Sequence, residues 1–233
     1  MNPRALDGSE LVKPRLIVPA YFHPASHAAE WDWLARRPGR VALVVLNLAD
    51  GPGTRPDAAV QRVLAPLRAA GIPVAGYVDT GYGQRPDREA LADLGRYLEW
   101  YQVTAAFFDR APTGAEHLGH YADLAEGARR LGAREVALNH GAHPVEAYAQ
   151  HADLLGTFEG PWPAYLDLAI PRWARSRPAA QFYHLPHSVP TGSFRDARWL
   201  AARRNAGCVY ITDRGGPNPW DRLPAGQLDQ WAT

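Results

Sequence analysis

The feature that most constrains the fold of this chain is a series of eight short apolar segments. Each segment ends near a polar residue and is followed by a helix-like stretch. The segments span residues 15–22, 41–48, 73–80, 103–110, 135–140, 154–159, 179–184 and 208–213. They lack clean alternation, as expected for parallel strands covered by helices on one face and packed in a core on the other. Eight such strands with crossover helices form a TIM barrel. The pattern predicts an α/β fold, with a single (β/α)8 barrel domain over residues 15–233 after an N-terminal extension of residues 1–14.

Helical periodicity fills the intervals between these segments. In residues 56–70 apolar side chains recur every three or four positions, and Gly71 follows as a stop signal. The same spacing predicts helices over residues 88–102, 115–131 and 194–205, and a short helix around residues 144–151. The strand–helix unit is therefore the repeat of the chain, and the barrel prediction needs no linker or second domain.

Composition and charge argue against several classes of partner. The 233 residues carry a net charge of +1, which is unlike a nucleic-acid-binding domain. No apolar run approaches the roughly 18 residues of a transmembrane helix, and residues 1–14 lack the apolar stretch of a signal peptide. Lys13 is the only lysine, a usage typical of a GC-rich bacterial genome. We therefore expect a cytoplasmic protein, unless a leader was removed, with no nucleic-acid or membrane partner; its oligomeric state is left open.

Polar and aromatic side chains lie at or just beyond the carboxyl ends of the predicted strands. They are Tyr21, His23, Asn47, Asp79, Asp109, Asn139, His140, Glu159, His184 and Asp213. In (β/α)8 barrels the active site lies at this end of the strands. We therefore expect these side chains to gather at one mouth of the barrel and to line the site.

The motifs give little support to a metal or another cofactor. His140 and His143 are three residues apart, as are His184 and His187, but no HExxH or Cys/His zinc spacing occurs. The glycine-rich turn at residues 51–53 lacks a Walker lysine and a dinucleotide fingerprint. Cys208, the only cysteine, is expected to be a buried core residue. We expect no cofactor, and His140 and His184 are either hydrogen-bonding residues of the pocket or structural residues.

Several short pieces of the chain resemble the spherulation-specific family 4 (spherulin 4-like) proteins. The pieces are VPAYFHP (18–24), VVLNLADGPG (44–53), GYVDTGYG (76–83), FFDR (107–110), FEGPW (158–162), YITD (210–213) and NPWDRLP (218–224). Their order and their placement at strand ends extend the resemblance along nearly the whole chain. It implies a (β/α)8 barrel and an endo-acting glycoside hydrolase that cleaves α-1,4-linked galactosamine or N-acetylgalactosamine polymers with acidic residues at the strand tips.

Residue by residue, the resemblance implies a catalytic pair. The family's acid after strand four matches Asp109, and its glutamate after strand six matches Glu159. The family hydrolases commonly have a second acid directly after the first, where this chain has Arg110. The Asn-Pro after strand two is replaced by residues 47–48, Asn-Leu, and the Asn-Pro-Gly after strand five by residues 139–141, Asn-His-Gly. These departures imply a remodelled pocket.

Glycoside hydrolysis requires two carboxyl groups that flank the scissile bond. The cation of Arg110 beside Asp109 predicts an ionised carboxylate, which suits a nucleophile or an electrostatic stabiliser, unless the two neighbours on the strand point apart. The aromatic surroundings of Glu159 predict a raised pKa, which suits the general acid and base. Retention is the favoured mechanism, and it requires a carboxyl separation of roughly 5–5.5 Å rather than roughly 6.5–9.5 Å. The alternative is that either acid caps a helix or bonds a loop.

Aromatic and charged residues near the strand ends predict substrate contacts. The aromatic candidates for stacking against a sugar are Tyr21, Tyr77, Tyr82, Trp162 and Trp220, of which Tyr82 and Trp162 are favoured because they lie in loops after strands. Asp79 and Asp213 either orient amino and hydroxyl groups or stabilise turns, and Asp213 alternatively pairs with Arg214. Arg110 completes the expected substrate-binding residues.

Two other functions remain open on the sequence. An enzyme with the same barrel and acids would act by acid/base chemistry on a small polar or anionic metabolite, since a guanidinium at the pocket mouth recognises carboxylate or phosphate. A carbohydrate-binding protein without turnover is the second. A wide groove across the barrel top favours a polymeric glycan, whereas a closed pocket favours a small molecule.

Overall fold

The computed structural model describes residues 13–224 as a closed, eight-stranded parallel barrel. Each strand pairs with the next in the chain, and the last pairs with the first. The strands are β1 (Arg15–Ala20), β2 (Val41–Leu46), β3 (Val74–Asp79), β4 (Ala105–Asp109), β5 (Glu135–Asn139), β6 (Leu154–Pro161), β7 (Phe182–His187) and β8 (Cys208–Val209). The predicted TIM barrel is confirmed. Most of the predicted N-terminal extension, residues 1–12, and residues 225–233 of the predicted barrel domain lie outside the described residues.

Helices cover the outside of the barrel. The α-helices are α1 (Ala28–Ala35), α2 (Ala58–Ala69), α3 (Asp87–Tyr101), α4 (Leu118–Leu131), α5 (Trp162–Leu166), α6 (Arg172–Arg175) and α7 (Phe194–Arg203). The four long helices predicted from periodicity correspond to α2, α3, α4 and α7. Between residues 13 and 224, no helix is both long and apolar enough to cross a membrane.

Two strands are followed by connections without an α-helix in the part of the chain that the structure describes. The connection from β5 to β6 contains the short 3₁₀ helix Glu146–Gln150, in agreement with the short helix predicted around residues 144–151. Residues 210–224 after β8 form turns and bends, with three prolines and two consecutive glycines that interrupt helical hydrogen bonding. The chain therefore leaves the last strand as an irregular segment that folds over the barrel end.

Alternation of side chains along the regular parts of the strands sorts their residues into an inner and an outer layer. The ring of Phe107 on β4 lies 6.2 Å from Tyr77 on β3 and 6.1 Å from Tyr183 on β7. Because β4 and β7 are not neighbours in the sheet, that second contact crosses the barrel interior. The adjacent residues Val78 and Phe108 belong instead to the cluster that packs against α3 and α4. Aromatic rings thus fill the barrel beneath its carboxyl end.

The seventh strand begins and ends later than the sequence predicts. The expected strand over residues 179–184 starts as a 3₁₀ helix, Ala179–Gln181, and the extended backbone runs from Phe182 to His187. His184 therefore lies in the middle of β7 and not at its end. Backbone pairing to β7 continues beyond β8, since the N–H groups of Tyr210 and Thr212 donate to β7 carbonyls at 3.0 and 3.2 Å.

Candidate active site

One side-chain amide holds two carboxylates together at the barrel mouth. Asn139 is the last residue of β5, and its Nδ2 donates to Oδ1 of Asp109 at 2.8 Å and to Oε2 of Glu159 at 2.6 Å. Asp109 ends β4, and Glu159 lies near the end of β6. Because one nitrogen makes both bonds, the two acceptor oxygens are no further apart than the sum of those lengths. The structure thus brings together the two acids that the sequence paired.

A bulge in β6 turns Glu159 towards this amide. The register of β6 against β7 shifts between Gly156 and Phe158. Gly156 faces Asn139, since a Cβ on this glycine would lie 2.3 Å from the Asn139 Oδ1. In a regular strand, residues three apart point to opposite faces. The extra residue of the bulge lets Gly156 and Glu159 approach the same side chain.

Asp109 sits in a partly buried, hydrogen-bonded position. The hydroxyl of Tyr77 donates to its Oδ2 at 2.8 Å, while Asn139 donates to the other oxygen. Burial raises the pKa of Asp109 above its usual value, and the two side-chain hydrogen bonds oppose that rise. The prediction that Arg110 lowers this pKa is wrong, because its guanidinium turns away and pairs with Asp79.

Glu159 has the more strongly perturbed titration. Burial raises its pKa to about 7, and repulsion from Asp109 acts in the same direction. Hydrogen bonds from Asn139 and with the Trp220 side chain oppose this rise. A raised pKa at Glu159 agrees with the expectation from its apolar surroundings. Near neutral pH this carboxyl group therefore retains a proton in a large part of the molecules.

Arg110, Asp79 and Tyr82 form a cluster on the β3–β4 side of the mouth, which we call the arginine wall. Nη1 of Arg110 donates to Oδ2 of Asp79 at 2.9 Å, and the guanidinium carbon lies 4.9 Å from the centre of the Tyr82 ring. Asp79 also accepts a hydrogen bond from the N–H of Gly81 at 2.7 Å. Tyr82 is half exposed, as predicted for a residue of the loop after β3. The charge of Arg110 is thus balanced within the wall.

Two further aromatic candidates flank the acids. The ring of Tyr21 lies 5.5 Å from that of Tyr77, edge to face. Burial raises the pKa of Tyr21 well above its usual value, and the charges of Asp109 and Glu159 add to the rise, so its hydroxyl lies in the field of both acids. Trp162 begins α5 directly after β6 and is partly buried. It therefore follows Glu159 by three residues in the sequence.

His23 and Asn47 are engaged in the loops around the mouth. Nε2 of His23 lies 3.2 Å from Oδ2 of Asp57, the residue whose side chain caps the N-terminus of α2. The other ring nitrogen of His23 accepts from the N–H of Ala25 at 3.1 Å. Oδ1 of Asn47 accepts from the N–H of Gly51 at 3.2 Å and shapes the turn after β2. Their predicted contact with substrate stays a prediction.

His140 and His184 lie behind the strands, which contradicts their prediction as substrate contacts. Nδ1 of His140 lies 2.7 Å from the carbonyl oxygen of Pro112. Both ring nitrogens of His184 are occupied, by the Tyr165 hydroxyl at 2.9 Å and the Thr157 hydroxyl at 3.1 Å. Burial lowers the pKa of His140 to about 4 and that of His184 to about 3, so both rings are neutral. The physical reason is alternation, since the residues before them, Asn139 and Tyr183, face inward.

Asp213 is exposed at the end of the irregular continuation of β8. Its expected alternative partner, Arg214, instead makes a bidentate pair with Asp221 at 3.0 and 2.7 Å. The role of Asp213 in orienting substrate stays a prediction. Cys208 is buried, and burial raises the pKa of its thiol to about 11. Over residues 13–224, no group of three His, Cys, Asp or Glu side chains is placed to hold a metal ion.

Besides Asn139, which was predicted only as a substrate contact, two residues of the site have roles that sequence reasoning missed. Tyr77, predicted only as a stacking residue, donates a hydrogen bond to Asp109. Its position two residues before Asp79 on β3 is the signal that could have placed it on the inner face. Trp220, also predicted for stacking, is 5% exposed and packs 5.7 Å from the Tyr210 ring beside Glu159. It comes from the irregular segment after β8, where no periodicity predicts direction.

The family model for spherulation-specific family 4 matches residues 15–233. Spherulin-4 of Physarum polycephalum is 27% identical over 213 residues, which are 85% of this chain and 63% of that protein, so this chain spans less than two thirds of its length.

Solved structures share the barrel. Sph3 of Aspergillus clavatus, determined in complex with GalNAc, superposes with a TM-score of 0.80 at 23% identity, over 95% of this chain and 98% of the other. A chitinase of Rhizomucor miehei superposes with a TM-score of 0.55 at 10% identity, over 93% and 99%. The fold is therefore one that glycoside hydrolases use. Because the family model covers the whole barrel, this chain belongs to spherulation-specific family 4.

Proposed function

We propose that this protein is an endo-acting glycoside hydrolase that cleaves α-1,4-linked glycans containing N-acetylgalactosamine, with Asp109 and Glu159 as its carboxyl pair. The observation that carries the proposal is the hydrogen-bonded bridge through Asn139, which sets both acids side by side at the mouth. The carboxyl oxygens it joins are closer than the roughly 6.5 Å at which inverting enzymes begin. This separation supports a retaining mechanism.

The two environments suit two different roles. Asp109 receives hydrogen bonds from Tyr77 and Asn139, which stabilise its charge and orient it for attack on the anomeric carbon. Glu159, with a pKa of about 7, can deliver its proton to the departing glycosidic oxygen. It then removes a proton from the water that hydrolyses the glycosyl–Asp109 ester. The proton thus leaves Glu159 in the first step and returns in the second.

The substrate class rests on the family and on the aromatic mouth. Sph3, with which this chain shares the barrel, was solved with bound GalNAc. Tyr82 in the loop after β3 and Trp162 directly after β6 are aromatic side chains of the kind that stack against a sugar. An anionic metabolite is favoured less, because Asp79 already neutralises Arg110. Binding without turnover is favoured less, because the acids have the paired arrangement that hydrolysis needs.

The test is mass spectrometry of products from N-acetylgalactosamine oligosaccharides, with NMR of the first anomer released. We expect shortened oligomers with α-configured new ends from the wild type. Glu159→Gln and Asp109→Asn should lower the rate by at least about 10²-fold while remaining folded. Glu126→Gln, which removes an exposed carboxylate paired with Arg130 on α4, serves as the control and should leave the rate unchanged. Intact oligomers, or full activity in Glu159→Gln, would refute the proposal.

A further inference from the structure

The arginine wall holds a cation against Asp79, the residue of β3 that lies beside Asp109. Asp79 pairs with Asp109 in the register of β3 and β4, and its charge contributes to the raised pKa of Asp109. Asp79 is therefore within electrostatic reach of the site. Its carboxylate is the natural counterion for a positively charged group on a ligand in the mouth, and Arg110 occupies it with a hydrogen bond of 2.9 Å.

The wall is held in place by the backbone. Arg110 and Tyr82 both adopt left-handed φ angles, of 56° and 57°, which are uncommon for residues other than glycine. The carbonyl oxygen of Arg110 accepts from the N–H of Tyr82 at 2.8 Å and from the hydroxyl of Thr80 at 3.1 Å. Strained backbone that is fixed by surrounding hydrogen bonds is concentrated at functional sites. These bonds direct the Arg110 side chain to Asp79 and over the Tyr82 ring.

The guanidinium distinguishes two forms of an amino sugar. A free 2-amino group is protonated near neutral pH and carries a positive charge, whereas an acylated one is neutral and offers a carbonyl acceptor. Arg110 repels the former directly and also removes the carboxylate of Asp79 as its partner. The half-exposed guanidinium remains able to donate to the acyl oxygen of the latter.

We infer that Arg110 is a specificity-determining residue, which disfavours sugar units with a free ammonium group and leaves acylated amino sugars as the preferred units. This inference rests on the proposed glycosidase function. Arg110 and Asp79 then have opposite effects on a cationic sugar. The arginine repels it, and the carboxylate of Asp79 attracts it only when the arginine is absent.

The test compares two oligosaccharides of equal length and linkage, one N-acetylated and one with free amino groups. The ratio of their kcat/KM values is measured on each enzyme, since a ratio cancels any change in the acids themselves. We expect the wild type to prefer the acetylated form and Arg110→Gln to shift the ratio roughly fivefold towards the free amine. In the double variant Asp79→Asn/Arg110→Gln the ratio should return towards that of the wild type.

Two controls separate this inference from general effects of charge. Arg130→Gln removes an ion-paired arginine on the outer surface of α4 and should leave the ratio unchanged. Added salt should reduce the shift in Arg110→Gln, since the effect is electrostatic at a half-exposed site. The ratio of Kd values in the Glu159→Gln background gives a readout independent of turnover.

The outcomes are distinguishable. An unchanged ratio in Arg110→Gln, with both substrates cleaved or bound, overturns the inference and leaves the proposed function intact. A shift that persists in the double variant also overturns it, because Asp79 would then have no part in the effect. If the wild type neither cleaves nor binds either oligosaccharide, both the proposed function and this inference fail.

Discussion

At the scale of single residues, the neutral amide of Asn139 positions both acids without the strong lowering of their pKa values that a cation would cause. It donates to Asp109 and to Glu159, and so stabilises the ionised form of each. A lysine or arginine in this place would lower both pKa values strongly and leave no acid near neutral pH. An amide orients the pair and leaves burial to raise the pKa of Glu159 to about 7. The division of roles between the acids therefore depends on a group without charge.

Replacing Asn139 by alanine should lower kcat/KM and shift its dependence on pH. Because its hydrogen bonds lower the pKa values of both Asp109 and Glu159, their loss should move both limbs of the kcat/KM profile to higher pH. We expect kcat/KM to fall by about 10²-fold, since the carboxyls lose their mutual positioning. The profile is measured on N-acetylgalactosamine oligosaccharides. A comparable loss of rate with unmoved limbs would show that Asn139 acts only on structure.

Glu159 should also make stability depend on pH. Folding raises its pKa from 4.5 to about 7, so folding favours the protonated form. The stabilisation is fully present below about pH 4.5 and is lost as the pH rises through about 7. Relative to Glu159→Gln, the wild type should lose roughly 3 kcal/mol of unfolding free energy over that interval. Urea denaturation across this range measures the difference, and parallel curves for the two proteins would contradict the raised pKa.

At the scale of elements, β6 is the strand that adapts the regular barrel to its chemistry. Its bulge after Gly156 changes the face on which Glu159 lies, and the absence of a side chain on Gly156 leaves room for Asn139. The tyrosine of β7 that pairs with this glycine, Tyr183, fills the remaining space, since its hydroxyl would lie 2.6 Å from an added Cβ. One glycine and one extra residue thus position the acid.

Gly156→Ala should therefore damage both activity and stability. The added Cβ would meet Oδ1 of Asn139 at 2.3 Å and the Tyr183 hydroxyl at 2.6 Å, so the bridging amide must move. We expect a destabilisation of about 1–3 kcal/mol, typical of overpacking, and a loss of most activity. Gly95→Ala on α3 is the matched control, because nothing lies within 4 Å of its added Cβ. That change should stabilise the protein by up to about 1 kcal/mol and leave the rate unaltered.

At the scale of the whole molecule, the aromatic interior supports the site from below. Phe107 is buried between Tyr77 and Tyr183, and Asp109 follows it two residues later on the same face of β4. The rings exclude water from the space beneath the acids, and this desolvation is the largest cause of the raised pKa values. The same packed rings thus fill the barrel and raise the pKa values of the two acids.

Phe107→Ala should lower the free energy of unfolding of the barrel more than a substitution at the surface does. Removing a fully packed ring leaves a cavity and costs about 3–5 kcal/mol. Urea denaturation followed by tryptophan fluorescence measures the loss. Leu131→Ala, at a side chain that is 46% exposed at the end of α4, is the control and should cost less than about 1 kcal/mol. Similar losses in the two variants would show that the interior rings do not carry the stability.

Much of the element pattern could be read from the sequence, because helices and strands follow local periodicity. The helix over residues 56–70 and the acid pair at strand ends are examples, the first now seen as α2 with its N-cap at Asp57. His184 was misplaced because the start of β7 is decided by pairing with β6 and β8, and not by its own residues. Trp220 was read only as a stacking residue because it reaches the site from a segment without periodicity.

By itself, the sequence determined the barrel and most of the polar residues that its carboxyl end would present, since both follow from local apolar patterning and from the direction of parallel strands. Only the tertiary structure decided which of these residues face the interior. Asn139 and Glu159 point inward while His140 and His184 point outward, and Arg110 turns from Asp109 to Asp79. The reason is that side-chain direction depends on register, and one bulged residue in β6 reverses it.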